Sequence, residues 1–236
     1  MNNLIGQEVK NLIPDISIFI TGGILQYIVI YCFIPILNRS GIMQLGSWMI
    51  LSIPFIFLPI IVSGIFILKI EKKHPKTTER LRINKFSKKD WCWLLAGLII
   101  LVIGSIIAFQ ICTILNLNPN PSFARDVDPW IKEHTWMFGL WTVYWPINIL
   151  GEEFIWRGII LPRMEAYIGK FAWLFNSFLW GIFHLAFGLG NLITLIPTLI
   201  IVPYIAQKTQ NTWTAVILHA TLSGPGFAVL AFGLLQ

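Results

Sequence analysis

Residues 136–164 read WMFGLWTVYWPINILGEEFIWRGIILPRM. A long apolar run leads into two adjacent glutamates, Glu152 and Glu153, and Arg157 follows four residues after the second. The run is of the length that crosses a bilayer core, about 20 residues. A charged side chain at the centre of such a span costs about 2.5–3.5 kcal/mol on insertion scales, so three of them need a physical reason. Helical spacing puts Glu153 and Arg157 on one face, where they pair, and turns Glu152 about 100° away. One carboxylate is then held by the arginine while the other is free to face a cavity. That is the division a general base needs, fixed in place yet open to a proton from water. A plainer reading is an ion cluster at a helix end, snorkelling to the interface. It suits Arg157, near the cytoplasmic end of the run, better than Glu152.

The rest of the chain supports a membrane setting. Hydrophobic residues make up 56% of the 236 and charged residues 12%, about half the usual charged share of a soluble domain, and the mean hydropathy is +0.73. A soluble chain could not hide that much apolar surface. The expectation is an all-α, polytopic transmembrane helix bundle of about seven spans, forming one membrane domain over 1–236. The spans run from about Asp15 to Leu37, Leu45 to Ile70, Trp91 to Leu115, Trp136 to Leu161, Phe171 to Phe187, Asn191 to Ala206 and Trp213 to Leu235. The first run is too long for a signal peptide and has no small-residue cleavage site, so it reads as a retained helix. The first three spans (1–115) carry no charge in their interiors, and the polar groups of interest fall in 136–236.

Nine of the 17 Lys and Arg lie between Lys69 and Lys89. The net charge of +6 is therefore concentrated in one loop between apolar runs, at 69–90, and is not a nucleic-acid signal. The positive-inside rule puts that loop, and with it the N-terminus, in the cytoplasm. Its cations suit contact with anionic lipid headgroups. A polar stretch, Asn116 to Thr135, then faces outward with Arg125, Asp126, Asp128, Lys132 and Glu133. Cys32, Cys92 and Cys112 sit in apolar runs without CxxC spacing and read as small buried hydrophobes.

Two histidines stand inside apolar runs, His184 in the fifth span and His219 in the seventh, with Ser223 four residues after His219 on the same helical face. His74 and His134 read as loop residues. Polar groups within membrane helices tend to face the bundle interior, so the acidic pair and the two histidines are expected to converge. Peptide hydrolysis uses such a set: a glutamate helped by a histidine deprotonates water, and a second histidine with a polar neighbour stabilises the oxyanion. Zinc is the nearest rival, since two histidines and a glutamate make a catalytic ligand set, but the HExxH signature is absent. A serine nucleophile lacks its elbow motif, and no aspartate pair lies inside a span, Asp15 standing at a helix start.

Glu152-Glu153-Phe154-Ile155-Trp156-Arg157 matches the EExxxR motif of the CAAX protease and bacteriocin-processing (Abi) family. Trp180 to His184 resembles that family's FxxxH motif with tryptophan in the aromatic position, and His219 to Ser223 resembles its HxxxN motif with serine replacing asparagine. The resemblance covers roughly Trp136 to the C-terminus. It implies that Glu152 and His184 activate the water, that Glu153 and Arg157 organise the site, and that His219 contributes to the oxyanion site with Ser223 beside it. It implies no cofactor. The substrates it implies are small membrane-associated or hydrophobic peptides: bacteriocin, signalling or prenylated types, cleaved in a bacterial plasma membrane. Serine donates one hydrogen bond where an asparagine amide donates two. Two other classes compete: a non-catalytic scaffold or immunity protein using the polar groups as interhelical glue, and a proton-coupled transporter, for which paired discontinuous helices and internal repeats are lacking.

Overall fold

The computed structural model describes residues 2–71, 77–124 and 135–232. The chain begins with α1 (Asn2–Ile28), which passes through a π-helical turn, Val29–Phe33, into α2 (Ile34–Arg39). Next, α3 (Gln44–Ser52) runs through Ile53–Phe57 into α4 (Leu58–Glu71), and a short α5 (Thr77–Arg80) precedes α6 (Lys88–Ile114). The segment quoted above forms α7 (Trp136–Glu153), a π-helical stretch Phe154–Ile160, and α8 (Leu161–Ile168). A 3-10 turn, Gly169–Phe171, leads to α9 (Ala172–Phe183), and a second, Leu185–Phe187, leads to α10 (Leu189–Thr209) and then α11 (Thr212–Phe232). Every regular element among the described residues is helical, so the expected all-α class holds.

Local sequence accounts for the ends. Ser87 and Asp90 form a capping box at the start of α6, each side chain bonding the other's backbone N–H. Gly169 (φ 67°) and Gly188 (φ 95°) supply the positive φ that turns the chain after α8 and before α10.

Among the described residues, four helical runs are long and apolar enough to cross a membrane: Leu12–Arg39, Gln44–Ile70, Lys88–Ile114 and Leu189–Thr209. In α6, Leu94, Leu101, Ala108 and Cys112 are buried on one face, while Leu95, Ile99, Ile103 and Ile106 are all more than half exposed on the other. An apolar outer face of that extent belongs in lipid, and the chain is a multi-pass membrane protein.

Three expectations need correction. The fifth span is not a full crossing: α9 has 12 residues, about 18 Å at 1.5 Å per residue, against a core of about 30 Å. Cys32 and Cys92 are not buried hydrophobes: both are exposed, and of the three cysteines Cys112 alone is buried; the helix of the fourth span runs on past Leu161 to Ile168. Asp15 is not at a helix start. It lies inside α1, fully buried, and accepts hydrogen bonds of 2.8 and 3.1 Å from Arg163 of α8. The loop charges 125–133 and the loop histidines His74 and His134 lie outside the described residues.

The described part of the basic loop is tied to the bundle. Arg82 makes a two-pronged salt bridge to Glu165 of α8 at 2.7 and 3.0 Å. Thr212 donates to the Leu81 carbonyl at 2.6 Å, and Asn211 to that of Asn84 at 3.2 Å. Arg80, only 7% exposed, donates to the Gly158 and Ile159 carbonyls at 3.2 Å each. Gly158 stands four residues before Pro162, which has no N–H to offer it, and Arg80 adds a side-chain donor to that carbonyl.

Candidate active site

Glu152 and Glu153 close α7, Arg157 sits in the π-helical stretch, His184 caps the C-terminus of α9, and His219 and Ser223 lie on α11. Their depths match through chain length. Glu152 is 17 residues before the turn at Gly169, and His184 is 13 residues after its end at Phe171. The brevity of α9 therefore stops His184 close to the level of the glutamates instead of carrying it past them.

Glu152 is 2% exposed and has three donors. Asn148 reaches Oε1 at 2.8 Å, and the indole nitrogens of Trp156 and Trp180 reach Oε2 at 3.3 and 2.9 Å. Asn148, Glu152 and Trp156 repeat at i, i+4 along one helical line. That spacing is visible in sequence and marks Asn148 and Trp156 as site residues that the motif reading missed.

Glu153 is fully buried, and its Oε1 is shared by two partners. Arg157 Nη1 donates at 3.0 Å, and His219 Nδ1 lies at 2.7 Å. The Arg157 guanidinium carbon sits 3.6 Å from the centroid of the Trp180 ring, a cation–π contact on the other side of the pair. Arg157 Nε and Nη2 and Glu153 Oε2 have no partner among the described residues. A carboxylate between a guanidinium and an imidazole fixes the ring: Glu153 takes the Nδ1 hydrogen of His219, leaving Nε2 for other work.

His184 is fixed differently. Its Nδ1 lies 2.9 Å from the Trp180 carbonyl, and Trp180, Phe183 and Phe187 meet its ring edge to face. A carbonyl only accepts, so Nδ1 carries the hydrogen, and the neutral ring presents a lone pair at Nε2. Ser223 Oγ donates back to the His219 carbonyl at 3.0 Å, one turn up its own helix.

Glu152, His184, His219 and Ser223 line one cavity of about 470 Å³, together with Tyr144, Trp145 and Asn148 of α7. Tyr144 Oη accepts from Trp48 at 2.9 Å and keeps its own hydrogen to donate. Glu153 and Arg157 stand behind this wall, not in it. The arrangement offers an anchored carboxylate, an imidazole lone pair and a carboxylate-backed imidazole on the wall of one half-open cavity. Among the described residues, no group of three or more His, Cys, Asp and Glu is gathered as a metal-binding set.

The fold and this site define a multi-pass helical membrane protein with a glutamate and two histidines converging on one cavity. Residues 134–224 match the family model described as Type II CAAX prenyl endopeptidase Rce1-like. The match begins just before α7, ends just after Ser223 and contains all six candidate residues. It bears out the resemblance drawn from the three motifs, and the family it names is one of peptidases. Comparison with curated proteins and with solved structures returned no match.

Proposed function

We propose that this chain is a membrane-embedded endopeptidase that cleaves small membrane-associated or hydrophobic peptides with a water activated by Glu152 and His184. The observation that carries the proposal is the shared cavity. A carboxylate with three donors and an imidazole with its lone pair at Nε2 line the same cavity, and Trp180 joins them by bonding one at its indole and the other at its carbonyl. The water oxygen attacks the scissile carbonyl carbon as its proton passes to Glu152, with His184 orienting the water. The negative charge that forms on the carbonyl oxygen is met by the Nε2–H of His219 in its imidazolium form, with the Nδ1–H held by Glu153. The C–N bond then breaks as the proton moves on to the leaving amine. Glu153 and Arg157 hold His219 and Trp180 in place, and no step calls for a metal.

The substrate classes that fit are bacteriocin, signalling or prenylated-type peptides, met in a bacterial plasma membrane, and the lipid belt around the bundle is the other partner. The test is peptide cleavage by purified wild-type and Glu152→Gln protein in detergent, with and without a chelator. A pooled library of lipidated and hydrophobic peptides is read by mass spectrometry. Wild-type-only cleavage that survives chelation is expected. Turnover by Glu152→Gln sinks the base assignment, loss on chelation sinks the metal-free chemistry, and no wild-type cleavage turns the reading towards a scaffold. In the same assay Ser223→Asn keeps or raises turnover, since it adds an amide donor beside His219.

A further inference from the structure

The buried face of α1 carries a polar group that the motifs do not contain. Asp15, Phe19, Gly22, Gln26 and Val29 recur at helical spacing and are all buried. Each has an identifiable place. Asp15 pairs with Arg163, and Phe19 stacks on Trp156 at 4.0 Å, behind the indole that donates to Glu152. A Cβ at Gly22 would come within 2.7 Å of the Phe183 ring, and one at Gly23 within 3.4 Å of the Phe183 Cα. α1 therefore lies directly on the last turn of α9, the turn that ends in His184. About two turns further along, Tyr31 donates to the Ala186 carbonyl at 3.1 Å.

Gln26 falls between these contacts, 1% exposed, and lines the same cavity as Glu152, His184 and His219. Its Oε1 is buried with no hydrogen-bond partner among the described residues. A buried amide oxygen with nothing to bond is costly and is not kept for packing, because an aliphatic side chain of similar size would pack as well. In a cavity lined mostly by aromatic and aliphatic side chains, the amide has the chemistry of a peptide group, one acceptor and two donors in a plane.

We propose that Gln26 is a substrate-binding residue that pairs with a backbone amide of the bound peptide beside the bond to be cleaved. This inference rests on the peptidase reading above. It places part of the peptide-binding wall on the first helix, outside the segment 134–224 that matches the peptidase family.

The experiment compares wild type, Gln26→Met and Glu152→Gln, using as probe a peptide that the wild type cleaves, with kcat, KM and melting temperature measured in the same detergent. Gln26→Met is expected to raise KM about tenfold with kcat within about twofold, the pattern of a lost contact made equally to substrate and transition state. Its melting temperature should stay level or rise, because the amide oxygen it removes has no hydrogen-bond partner among the described residues. An unchanged KM overturns the proposal. So does a lower melting temperature accompanied by loss of both kinetic constants, which would make Gln26 a structural residue. If the wild type cleaves no peptide, the peptidase reading fails and this one fails with it. A cleaving wild type with an indifferent Gln26→Met removes this proposal alone.

Discussion

Trp180 and Glu152 lie 28 residues apart in sequence and are joined by a 2.9 Å hydrogen bond from the indole nitrogen to Oε2. The same indole lies under the Arg157 guanidinium. One side chain therefore holds the candidate base by its edge and the structural cation by its face. Phenylalanine at this position would keep the face and lose the edge.

Trp180→Phe should therefore separate the two roles. Loss of a hydrogen bond to a charged group costs about 1.5–3 kcal/mol. If that bond holds Glu152 in its working position, kcat falls about ten- to a hundredfold while KM stays near the wild-type value. Steady-state kinetics on a cleaved peptide, alongside thermal unfolding in detergent, gives both numbers. A rise in KM alone would show that Trp180 contacts substrate instead.

The Glu153–Arg157 pair has fully buried side chains, and its two halves should not be separable. Glu153→Leu strands a buried guanidinium and is expected to destabilise the fold by about 3–5 kcal/mol. The double variant Glu153→Leu/Arg157→Met removes both charges and should recover most of that loss, yet remain without cleavage, since His219 has lost its carboxylate. Equal instability in the single and double variants would show that the pair is not one electrostatic unit.

Arg80→Ala is expected to cost about 1–3 kcal/mol, because it removes two buried hydrogen bonds to helix carbonyls. The damage should be local. Amide hydrogen exchange read by mass spectrometry should speed up over 154–160 before it does in α6 or α10, and uniform acceleration across the bundle would contradict the assigned role.

Orientation can be read from α6. Lys88 is exposed at its first turn. A cysteine placed there, in a chain whose exposed Cys32 and Cys92 have been replaced, should react with a membrane-impermeant maleimide in inverted vesicles and not in intact cells. Labelling of intact cells would reverse the topology.

What sequence shows of this site is what lies within a helical turn. The i, i+4 spacing of Glu153 and Arg157 yields their contact directly, and the same spacing from Asn148 through Glu152 to Trp156 was there to be read. Apolar run length delivers the four long crossings. Contacts across large sequence separations are not written in any local pattern. Asp15 meets Arg163 across 148 residues, and Arg80 meets Gly158 across 78. The short α9 reads as a span because the apolar run continues through the 3-10 turn after His184, and hydropathy does not register the change of backbone path. Gln26 escapes notice for a simpler reason: it is a single uncharged amide on an otherwise apolar face.

The π-helical stretch between Glu153 and Leu161 is the one place in this helix where chain length can change at little cost. Such a stretch accommodates a residue beyond what an α-helix of the same rise would hold. Deleting one residue from 154–160 would therefore let α7 and α8 join as ordinary α-helix with little change in their relative phase, whereas deleting Leu161 or Pro162 from the start of α8 would turn the two anchor points against each other by about 100°. In the second case the composition would hardly change. The glutamates would rotate away from Trp180 and His219, or α8 would rotate away from Asp15 and Arg82. In this helix the spacing between two anchor points sets the phase of the chemistry, so a one-residue change in length outside the π-helical stretch is a larger event than most substitutions within it.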